Sequence, residues 1–531
     1  MNRRQFLRRT IPVSTVPFLL SGYSLHAFGR SPFLDQLASL AAETDRVLVL
    51  VQLNGGNDGL NTVIPRDQYS ALAAARSNIL IPEAKVLPLS DATGLHPAMT
   101  GLHGLFQEGK LVVLQSVGYP NPNFSHFRAT DIWLTGSDSS QILTTGWMGR
   151  YLDSEFPAYP TGYPTTAMPD PLAIQIGSVV SPALHGPTVS MGMAITNPNA
   201  GYILPGGVDT PPDTPAGHEL SFVREVAEQT YQYATVIKTA AGNGKNLSTL
   251  YPTAGSNSLA DQMKIVAQLI SGGLKTRVYV VSLGGFDTHS GQVVGGAKET
   301  GSHATLLGRI SSAVTAFMDD VKLQGLEQRV VGLTFSEFGR RIKSNASTGT
   351  DHGAAAPLFV FGAGVQGGIL GTNPVLPATA TANDNIAMQF DYRRVYAAVV
   401  RDWFGATATQ LEAILPGHQP LPIFRADIPS GVAEEGLPES FALRQNYPNP
   451  FNGQTRIRYA LPAEVRHYGS TSMTLKVYDV TGREVATLVD GPAVPGHHEV
   501  LFDASRFSSG MYLYRLNAGS FTETRRMVLV R

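Results

Sequence analysis

The 531-residue sequence contains no cysteine, and this absence excludes several kinds of chemistry. The chain can form no disulfide, no thiolate metal site and no cysteine nucleophile. A protein without thiols is compatible with an oxidising compartment, although the absence alone does not establish one. Any metal site in this chain must use nitrogen or oxygen ligands.

Charge is scarce as well. Charged residues make up 15% of the sequence, the formal net charge is −1, and no long basic block lies beyond the N-terminus. Nucleic acid is therefore not expected as the main partner. Hydrophobic residues reach 43%, which is enough for a core, and the length predicts two or three domains.

Residues 1–29 have the pattern of an export signal. Paired arginines at Arg3 and Arg4 precede an uncharged, largely apolar stretch, Ile11–Leu20. This stretch is too short for a permanent membrane span, so no transmembrane helix is expected in the mature chain. The segment resembles a twin-arginine signal, which implies export of an already folded protein; an ordinary secretory signal is the alternative.

Four apolar runs predict buried strands of an α/β sheet, at Arg46–Leu53, Leu111–Val117, Arg277–Leu283 and Val330–Phe335. Open α/β sheets bind ligands beyond the carboxyl ends of their strands. Helical spacing over Glu219–Ala241, Ser258–Leu274 and Thr305–Leu323 predicts helices that cover the sheet, with Ser258 as a cap. Residues 147–215, rich in Pro, Gly, Thr and Ser, are expected to form long irregular connections.

Metal-ligating residue types follow two of these strands. Asp287 and His289 come after a Gly-Gly break, and Glu337 ends the next strand. Asp351-His352 follows a polar loop. Carboxylate oxygen and imidazole nitrogen are ligands of zinc or manganese, so these residues predict a metal site. The alternative is that Glu337 pairs with a neighbouring arginine and that His352 only lines a loop.

The other two strands are followed by candidate substrate-binding and catalytic residues. The side chains in the loop after the first strand can ligate a cation through oxygen or donate hydrogen bonds to a phosphate or sulfate group. Ser125 is a candidate nucleophile, although a serine at that point is also a typical helix N-cap. The candidates for substrate binding are Asn54, Asn57, His126 and Arg340.

Four segments together resemble the exported bacterial family known as domain of unknown function 1501: LNGGNDGLN, NFSHF, GGFDTHS, and TFSEFGRR followed by GTDHG. The resemblance covers about residues 47–405 and places the chain in the alkaline phosphatase and sulfatase superfamily. It implies a mixed α/β sheet with helices on both faces, and hydrolysis of phosphate or sulfate esters. It also implies a divalent metal, with zinc as the first choice and manganese or calcium as alternatives.

The resemblance also assigns roles to individual residues. Ser125 takes the nucleophile position, and Asp58, or Asn54 or Asn57, takes the place of the metal ligand after the first strand. Phe338 stands where many relatives have a histidine, so one metal is expected rather than two. The full set of implied metal ligands is Asp58, Asp287, His289, Glu337, Asp351 and His352.

The C-terminal part differs in kind from the rest. After a predicted linker at residues 426–440, short alternating segments predict a small β-sandwich of about seven strands over residues 441–531. The motifs LRQNYPNPFN, VYDVTGREV and SGMYLYRL resemble the C-terminal sorting domain of the type IX secretion system. That resemblance implies passage through the periplasm to the cell surface or the medium. A carbohydrate-binding sandwich is the alternative.

The sequence thus predicts three segments: an export signal, an alkaline-phosphatase-like domain over residues 30–425, and the sorting sandwich. The expected function is metal-dependent hydrolysis of a small phosphate or sulfate ester outside the cell. The expected partners are the twin-arginine and type IX export machineries. The alternative is a non-catalytic surface protein that keeps the fold and a degenerate or purely structural metal site.

Overall fold

The computed structural model describes residues 45–157, 159–165, 168–199, 233–425, 441–446, 449–462, 472–492, 496–519 and 521–530. The predicted signal and linker lie outside these residues, and so does most of the predicted helix Glu219–Ala241. The chain divides into two compact units, Met1–Gly431 and Val432–Arg531. In the described part, no helix is both long enough and apolar enough to cross a membrane.

The first unit is built on one mixed sheet of nine strands. Eight of them follow the order β13-β5-β12-β9-β1-β8-β6-β7, and the ninth, β14, pairs with β5. Its strands are β1 (Val47–Asn54), β5 (Leu111–Gly118), β6 (Ala173–Ile176), β7 (Met193–Ile195), β8 (Val278–Gly284), β9 (Val330–Ser336), β12 (Ala356–Gly362), β13 (Gly368–Leu370) and β14 (Phe390–Asp391).

Four strands of this sheet, β1, β5, β8 and β9, run in one direction. Strand β1 is parallel to both β8 and β9, and β12 is antiparallel to both β9 and β5. It follows that the carboxyl ends of β1, β5, β8 and β9 meet at the same edge of the sheet. Smaller sheets join β2 (Val63–Pro65), β3 (Leu87–Pro88) and β4 (Thr93–Leu95), and pair β10 (Gly339–Ser344) with β11 (Thr350–Gly353).

Two hydrophobic cores lie on opposite faces of this sheet. Along β1, Leu48 and Leu50 belong to one core, while Val49 and Val51 belong to the other. This alternation is what a strand covered on both faces requires, because successive side chains point to opposite sides. The helices are α1 (Gly59–Thr62), α2 (Tyr69–Arg76), α3 (Thr100–Gln107), α4 (His126–Thr135), α5 (Trp147–Glu155), α6 (Ser258–Ser271), α7 (Ser302–Leu323), α8 (Tyr392–Ala398) and α9 (Ala408–Ile414), and residues 233–243 are also helical.

The predicted fold class is therefore confirmed, and two details are corrected. Residues 147–215 are not wholly irregular, because the helix Trp147–Glu155 and the strands β6 and β7 lie within them. Those two strands are only four and three residues long, too short to show a period in the sequence. The cap of α6 is Asn257 rather than Ser258, since the Asn257 side chain accepts hydrogen bonds from the backbone of Leu259 and Ala260.

The second unit is an antiparallel β-sandwich, as predicted. One sheet has three strands and the other four, with the orders β15-β16-β19 and β18-β17-β20-β21. In β16, Thr455, Ile457 and Tyr459 are buried and alternate with exposed residues, which is the period that a half-buried strand requires. The strands are β15 (Ala442–Leu443), β16 (Gln454–Leu461), β17 (Ser472–Asp479), β18 (Glu484–Pro492), β19 (Gly496–Asp503), β20 (Gly510–Ala518) and β21 (Phe521–Leu529).

Candidate metal centre

A group of polar side chains lies where the carboxyl ends of β1, β5, β8 and β9 meet. The loop after β8 contributes Asp287 and His289, and the first residue of α4, which follows β5, is His126. His352 lies in β11, the second strand of the β10–β11 hairpin. We call these four residues the histidine cluster.

Asp287 lies at the centre of the histidine cluster. Its Oδ1 is 3.2 Å from the Nε2 atom of His289 and 3.2 Å from the Nε2 atom of His352. Its Oδ2 is 3.5 Å from Nε2 of His126. All three imidazoles therefore present the same ring nitrogen to one carboxylate. Ligand atoms of His126, Asp287 and His352 all lie within 4.8 Å of one another, close enough to share a metal ion.

The other nitrogen of each ring is fixed by an oxygen acceptor. Nδ1 of His126 lies 2.9 Å from Glu337, and Nδ1 of His289 lies 3.1 Å from Asp351. Nδ1 of His352 donates to the carbonyl oxygen of Phe124 at 2.8 Å. In the neutral ring, the proton therefore lies on Nδ1 and the lone pair on Nε2. This arrangement is the usual one for metal-ligating histidines, whose second nitrogen donates to a carboxylate or a carbonyl.

Two of these lone pairs face each other. The Nε2 atoms of His289 and His352 are 2.9 Å apart, and both also face the Asp287 carboxylate. Acceptors at such a distance repel unless a proton or a cation lies between them. The donor set of imidazole nitrogens and one carboxylate fits zinc or manganese better than calcium, which prefers oxygen.

The electrostatics of the site also favour a cation. Burial alone would raise the pKa of Asp287, but the hydrogen bond and the positive charge of Arg340 act against it, and the pKa is lowered to about 2. The pKa of Asp351 is also lowered, because bonds from His289 and Asn345 outweigh the effect of burial. Burial lowers the pKa of His352 and so favours its neutral ring. The cluster therefore holds ionised carboxylates beside at least one neutral imidazole.

Arg340 holds the surrounding loops together and does not face solvent. Its guanidinium is fully buried and donates to Asp287 at 2.7 Å. It also donates to the backbone carbonyls of Gly56, Thr350 and Phe286, at 2.7, 2.7 and 3.1 Å, and to that of Gly55. With its donors occupied internally, Arg340 lies behind Asp287, whereas the sequence suggested a substrate contact.

Gly55 allows the loop after β1 to lie against the loop after β8. Its φ is +123°, and a Cβ atom there would lie 2.3 Å from the backbone nitrogen of Asp287. The Gly55 N–H donates to Glu337 at 2.8 Å, and the hydroxyl of Ser336 donates to the same carboxylate at 3.1 Å. The loop thus fixes Glu337, which in turn fixes the His126 ring.

The structure does not bring Asn57 and Asp58 into the cluster. Asp58 is 1% exposed; it pairs with Arg76 at 2.9 Å and accepts from Gln292 at 2.6 Å. Asn57 accepts from His303 at 3.0 Å. We call these five residues the buried network. Asn54 is half-buried, and its backbone carbonyl accepts from the N–H of Phe286.

Ser125 lies next to His126 but is not paired with it. It is exposed and is the N-cap residue of α4, without a side-chain cap hydrogen bond. Its backbone N–H donates to Asn123 at 2.8 Å. In the part of the chain that the structure describes, no hydrogen bond joins the Ser125 hydroxyl to a histidine. The nearest ring in sequence, His126, turns its Nδ1 to Glu337.

Phe338 packs against the histidine cluster from inside the protein. Its ring is 1% exposed and lies 5.0 Å from the ring of His126 and 4.4 Å from that of His352, centroid to centroid. An apolar ring in contact with both imidazoles limits their rotation. It also occupies space where a polar side chain would extend the site.

The sequence assigned His126 to substrate binding, and the structure places its ring in the group that is close enough to share a metal ion. The signal was present, because the motif NFSHF follows a buried strand whose carboxyl end lies at the same edge as the others. The anchors of the rings were also missed. Neither the Phe124 carbonyl nor the contact of Asn345 with Asp351 has a signature in the sequence.

Comparison with known proteins agrees with the resemblances found in the sequence. Residues 225–415 match the family model described as protein of unknown function (DUF1501), and residues 445–530 match the secretion system C-terminal sorting domain. The chain therefore combines a region similar to DUF1501 with a region similar to the sorting domain. No curated protein matches it. The sorting domain indicates export by a secretion system.

Several solved structures are similar over most of the chain. The sulfatase PsFucS1 from Pseudoalteromonas sp. is 11% identical, with a TM-score of 0.31, covering 89% of this chain and 88% of that one. The phosphonate monoester hydrolase SpPMH from Silicibacter pomeroyi is 10% identical, with a TM-score of 0.30, covering 91% and 88%. Ps i-CgsB, in complex with k-i-k-neocarrahexaose, is 11% identical, with a TM-score of 0.33, covering 79% and 84%.

Proposed function

We propose that the first unit is an exported hydrolase of phosphate or sulfate esters that depends on one divalent cation. The observation that carries the proposal is the convergence of three Nε2 atoms on the Asp287 carboxylate, each with Nδ1 anchored to an oxygen acceptor. With the protons on Nδ1, three Nε2 lone pairs directed at a carboxylate repel it, and a bound cation would satisfy all four groups. Zinc is the first choice, and manganese the second.

The residues around the cluster have distinct parts in this proposal. Glu337, Asp351 and the Phe124 carbonyl hold the three rings in position, and Arg340 holds Asp287. A divalent cation at this site would polarise an ester oxygen and lower the pKa of a water molecule. The side chains of Asp287 and His289 are 47% and 44% exposed, so a substrate can reach the site from solvent.

Ser125 is the candidate nucleophile. It is exposed beside the cluster, and in the described residues no imidazole is hydrogen-bonded to its hydroxyl to accept the proton. Activity that survives in Ser125→Ala would assign the attack to water. Activity that is lost, with metal content unchanged, would support Ser125 as the nucleophile.

The first experiment is elemental analysis of the purified full-length protein beside a His289→Ala, His352→Ala double variant. We expect about one equivalent of zinc or manganese in the wild type and none in the variant. Circular dichroism checks that the variant is folded. A folded wild type that binds neither metal after incubation with each ion contradicts the proposal.

Hydrolysis is tested separately with aryl phosphate and aryl sulfate esters. Metal binding without turnover of either ester would favour the second candidate, a non-catalytic surface protein with a structural metal. That candidate is supported by the internal partners of Asp58 and by the contact of the neighbouring imidazole, His126, with Glu337 instead of Ser125. Either candidate uses the same export route, for which we propose a twin-arginine signal followed by type IX secretion to the surface or the medium.

A further inference from the structure

An open groove of about 490 Å³ lies in the first unit, outside the histidine cluster. Its lining includes Tyr69, Ser77, Leu80, Lys85, Lys298 and Glu299. One wall belongs to the segment after α2, and the other belongs to the loop that follows His289. We call it the lysine groove. Its volume lies in the range of small-molecule sites.

The two ammonium groups of the groove are held in place but are not saturated. Lys85 pairs with Glu299, and Lys298 donates to the backbone carbonyl of Ser77. An ammonium has three N–H donors, and in the described part of the chain each of these lysines makes one hydrogen bond. The Lys85 side chain is 52% exposed. Donors therefore remain for an anionic group in the groove, where Glu299 is the acidic residue among the described lining residues.

Tyr69 gives the groove a fixed ring. Its hydroxyl donates to the carbonyl of Ile81 at 2.8 Å and accepts from the N–H of Glu83 at 3.0 Å. Because both bonds are to backbone, the ring cannot turn away from the groove without losing them. An aromatic ring held beside two ammonium groups suits a ligand that combines a flat or ring-shaped body with a negative charge.

The groove is connected to the histidine cluster through short contacts. Asn78, next to Ser77, donates to the carbonyl of Asn345 at 2.8 Å and contacts Ser344. The Asn345 side chain in turn donates to the carbonyl of His289 at 2.9 Å and to Asp351 at 3.3 Å. The loop that begins at His289 thus reaches Lys298, and the two sites belong to neighbouring loops.

We propose that the lysine groove is a second subsite that binds a sulfate or phosphate group carried on a ring of the substrate. The part of this inference that concerns the substrate rests on the proposed function, whereas anion binding in the groove does not. The substrate class is then a molecule of linked rings with more than one anionic ester group, one at the cluster and another between Lys85 and Lys298, and a sulfated oligosaccharide serves as its probe.

Binding is tested on the full-length protein after its metal has been removed with a chelator and the chelator dialysed away. The probes for titration calorimetry are a sulfated dextran hexasaccharide, the same hexasaccharide without sulfate, and a linear polyphosphate of matched charge. We expect the sulfated sugar to bind, and to bind about tenfold more weakly to Lys85→Gln, Lys298→Gln. The control Lys322→Gln, an exposed lysine at the end of α7, should bind like the wild type.

Three results would overturn the proposal: no binding of the sulfated sugar to the wild type, equal affinity in the double variant, or equal binding of polyphosphate. Melting curves check that the variants are folded. If the wild type hydrolyses esters, the ratio of kcat/KM for the sulfated hexasaccharide to that for an aryl sulfate should fall about tenfold in the double variant. If no ester is hydrolysed, the proposed function fails while the binding result still stands.

Discussion

The histidine cluster and the buried network contain the same kinds of residue at the same edge of the sheet, yet they differ in what their polar atoms face. In the buried network, Asp58 has Arg76 and Gln292 as partners. In the cluster, three Nε2 atoms face one carboxylate, which is itself about half exposed. An acid or a histidine after a strand therefore does not indicate a site by itself. What distinguishes the cluster is that three Nε2 atoms share one half-exposed carboxylate.

The largest effect on stability is expected from the removal of Arg76 in the buried network. The side chains of Arg76 and Asp58 are 0% and 1% exposed, so Arg76→Met leaves a buried carboxylate without its counter-ion. We expect a loss of about 3–5 kcal/mol in the free energy of unfolding, measured by urea denaturation. Metal content per folded molecule should not change, because neither residue belongs to the cluster.

Two matched variants control that measurement. Lys322→Met changes an exposed charge and should shift stability by less than about 0.5 kcal/mol. Arg76→Met combined with Asp58→Leu should recover much of the stability, because the orphaned charge is gone. If Arg76→Met lost its metal while it remained folded, the buried network and the histidine cluster would be coupled, which contradicts the prediction.

The second prediction concerns the anchor of His126. Glu337 is 4% exposed and accepts from Gly55 as well as facing Nδ1 of His126. Glu337→Gln removes the charge that holds the ring, while keeping the size of the side chain. We expect zinc affinity to fall about ten- to hundredfold, as is typical when a ligand's partner is changed. Competition with a chromogenic chelator measures it, and unchanged affinity would exclude His126 from the site.

The third prediction uses the buried network's own histidine. Burial, with Arg340 and Arg76 near by, lowers the pKa of His303 to about 4, although Asp58 acts in the opposite direction. Its unfolded value is near 6.5, so the neutral ring contributes stability above that pH, and this contribution is lost as the pH falls from 6.5 towards 4. Between pH 7 and pH 5 the loss should be about 2 kcal/mol.

That loss is measured as a difference, because other histidines also titrate. Urea denaturation of the metal-free wild type and of His303→Gln at both pH values isolates the contribution of this ring. The stability of the variant should depend less on pH than that of the wild type. An equal dependence in both proteins would show that His303 is not held neutral by its surroundings.

The sequence was enough to predict where the site lies and some of the residues in it. Four apolar strands with polar ends were enough to predict the shared edge, since parallel strands place their carboxyl ends together. The motif around Asp287 and His289 was found for the same reason. Both Asp58 and Asp287 follow a buried strand, so their positions in the sequence do not show which of them lies in the site. Asp58 is kept out of the site by its pairing with Arg76. Arg76 comes from α2, whose sequence gives no sign of that pairing.

The parts that were missed depend on contacts distant in sequence. The Phe124 carbonyl anchors His352 across the site, and Arg340 joins three loops through backbone oxygens, which any sequence would provide. The short strands β6 and β7 were missed because their few residues carry no period. Tertiary pairing, rather than local preference, decides all three.

The smallest effect is expected from a change of Asp351, the anchor of His289. Asp351 anchors His289 as Glu337 anchors His126, but its side chain is 56% exposed, and solvent screens it. Asp351→Asn keeps an oxygen that can accept from Nδ1, so we expect zinc affinity to fall less than about tenfold. The same chelator competition, run beside Glu337→Gln, gives the ratio directly. If Asp351→Asn were the more damaging of the two, burial would not rank the anchors, and Asp351 would have to ligate the cation itself.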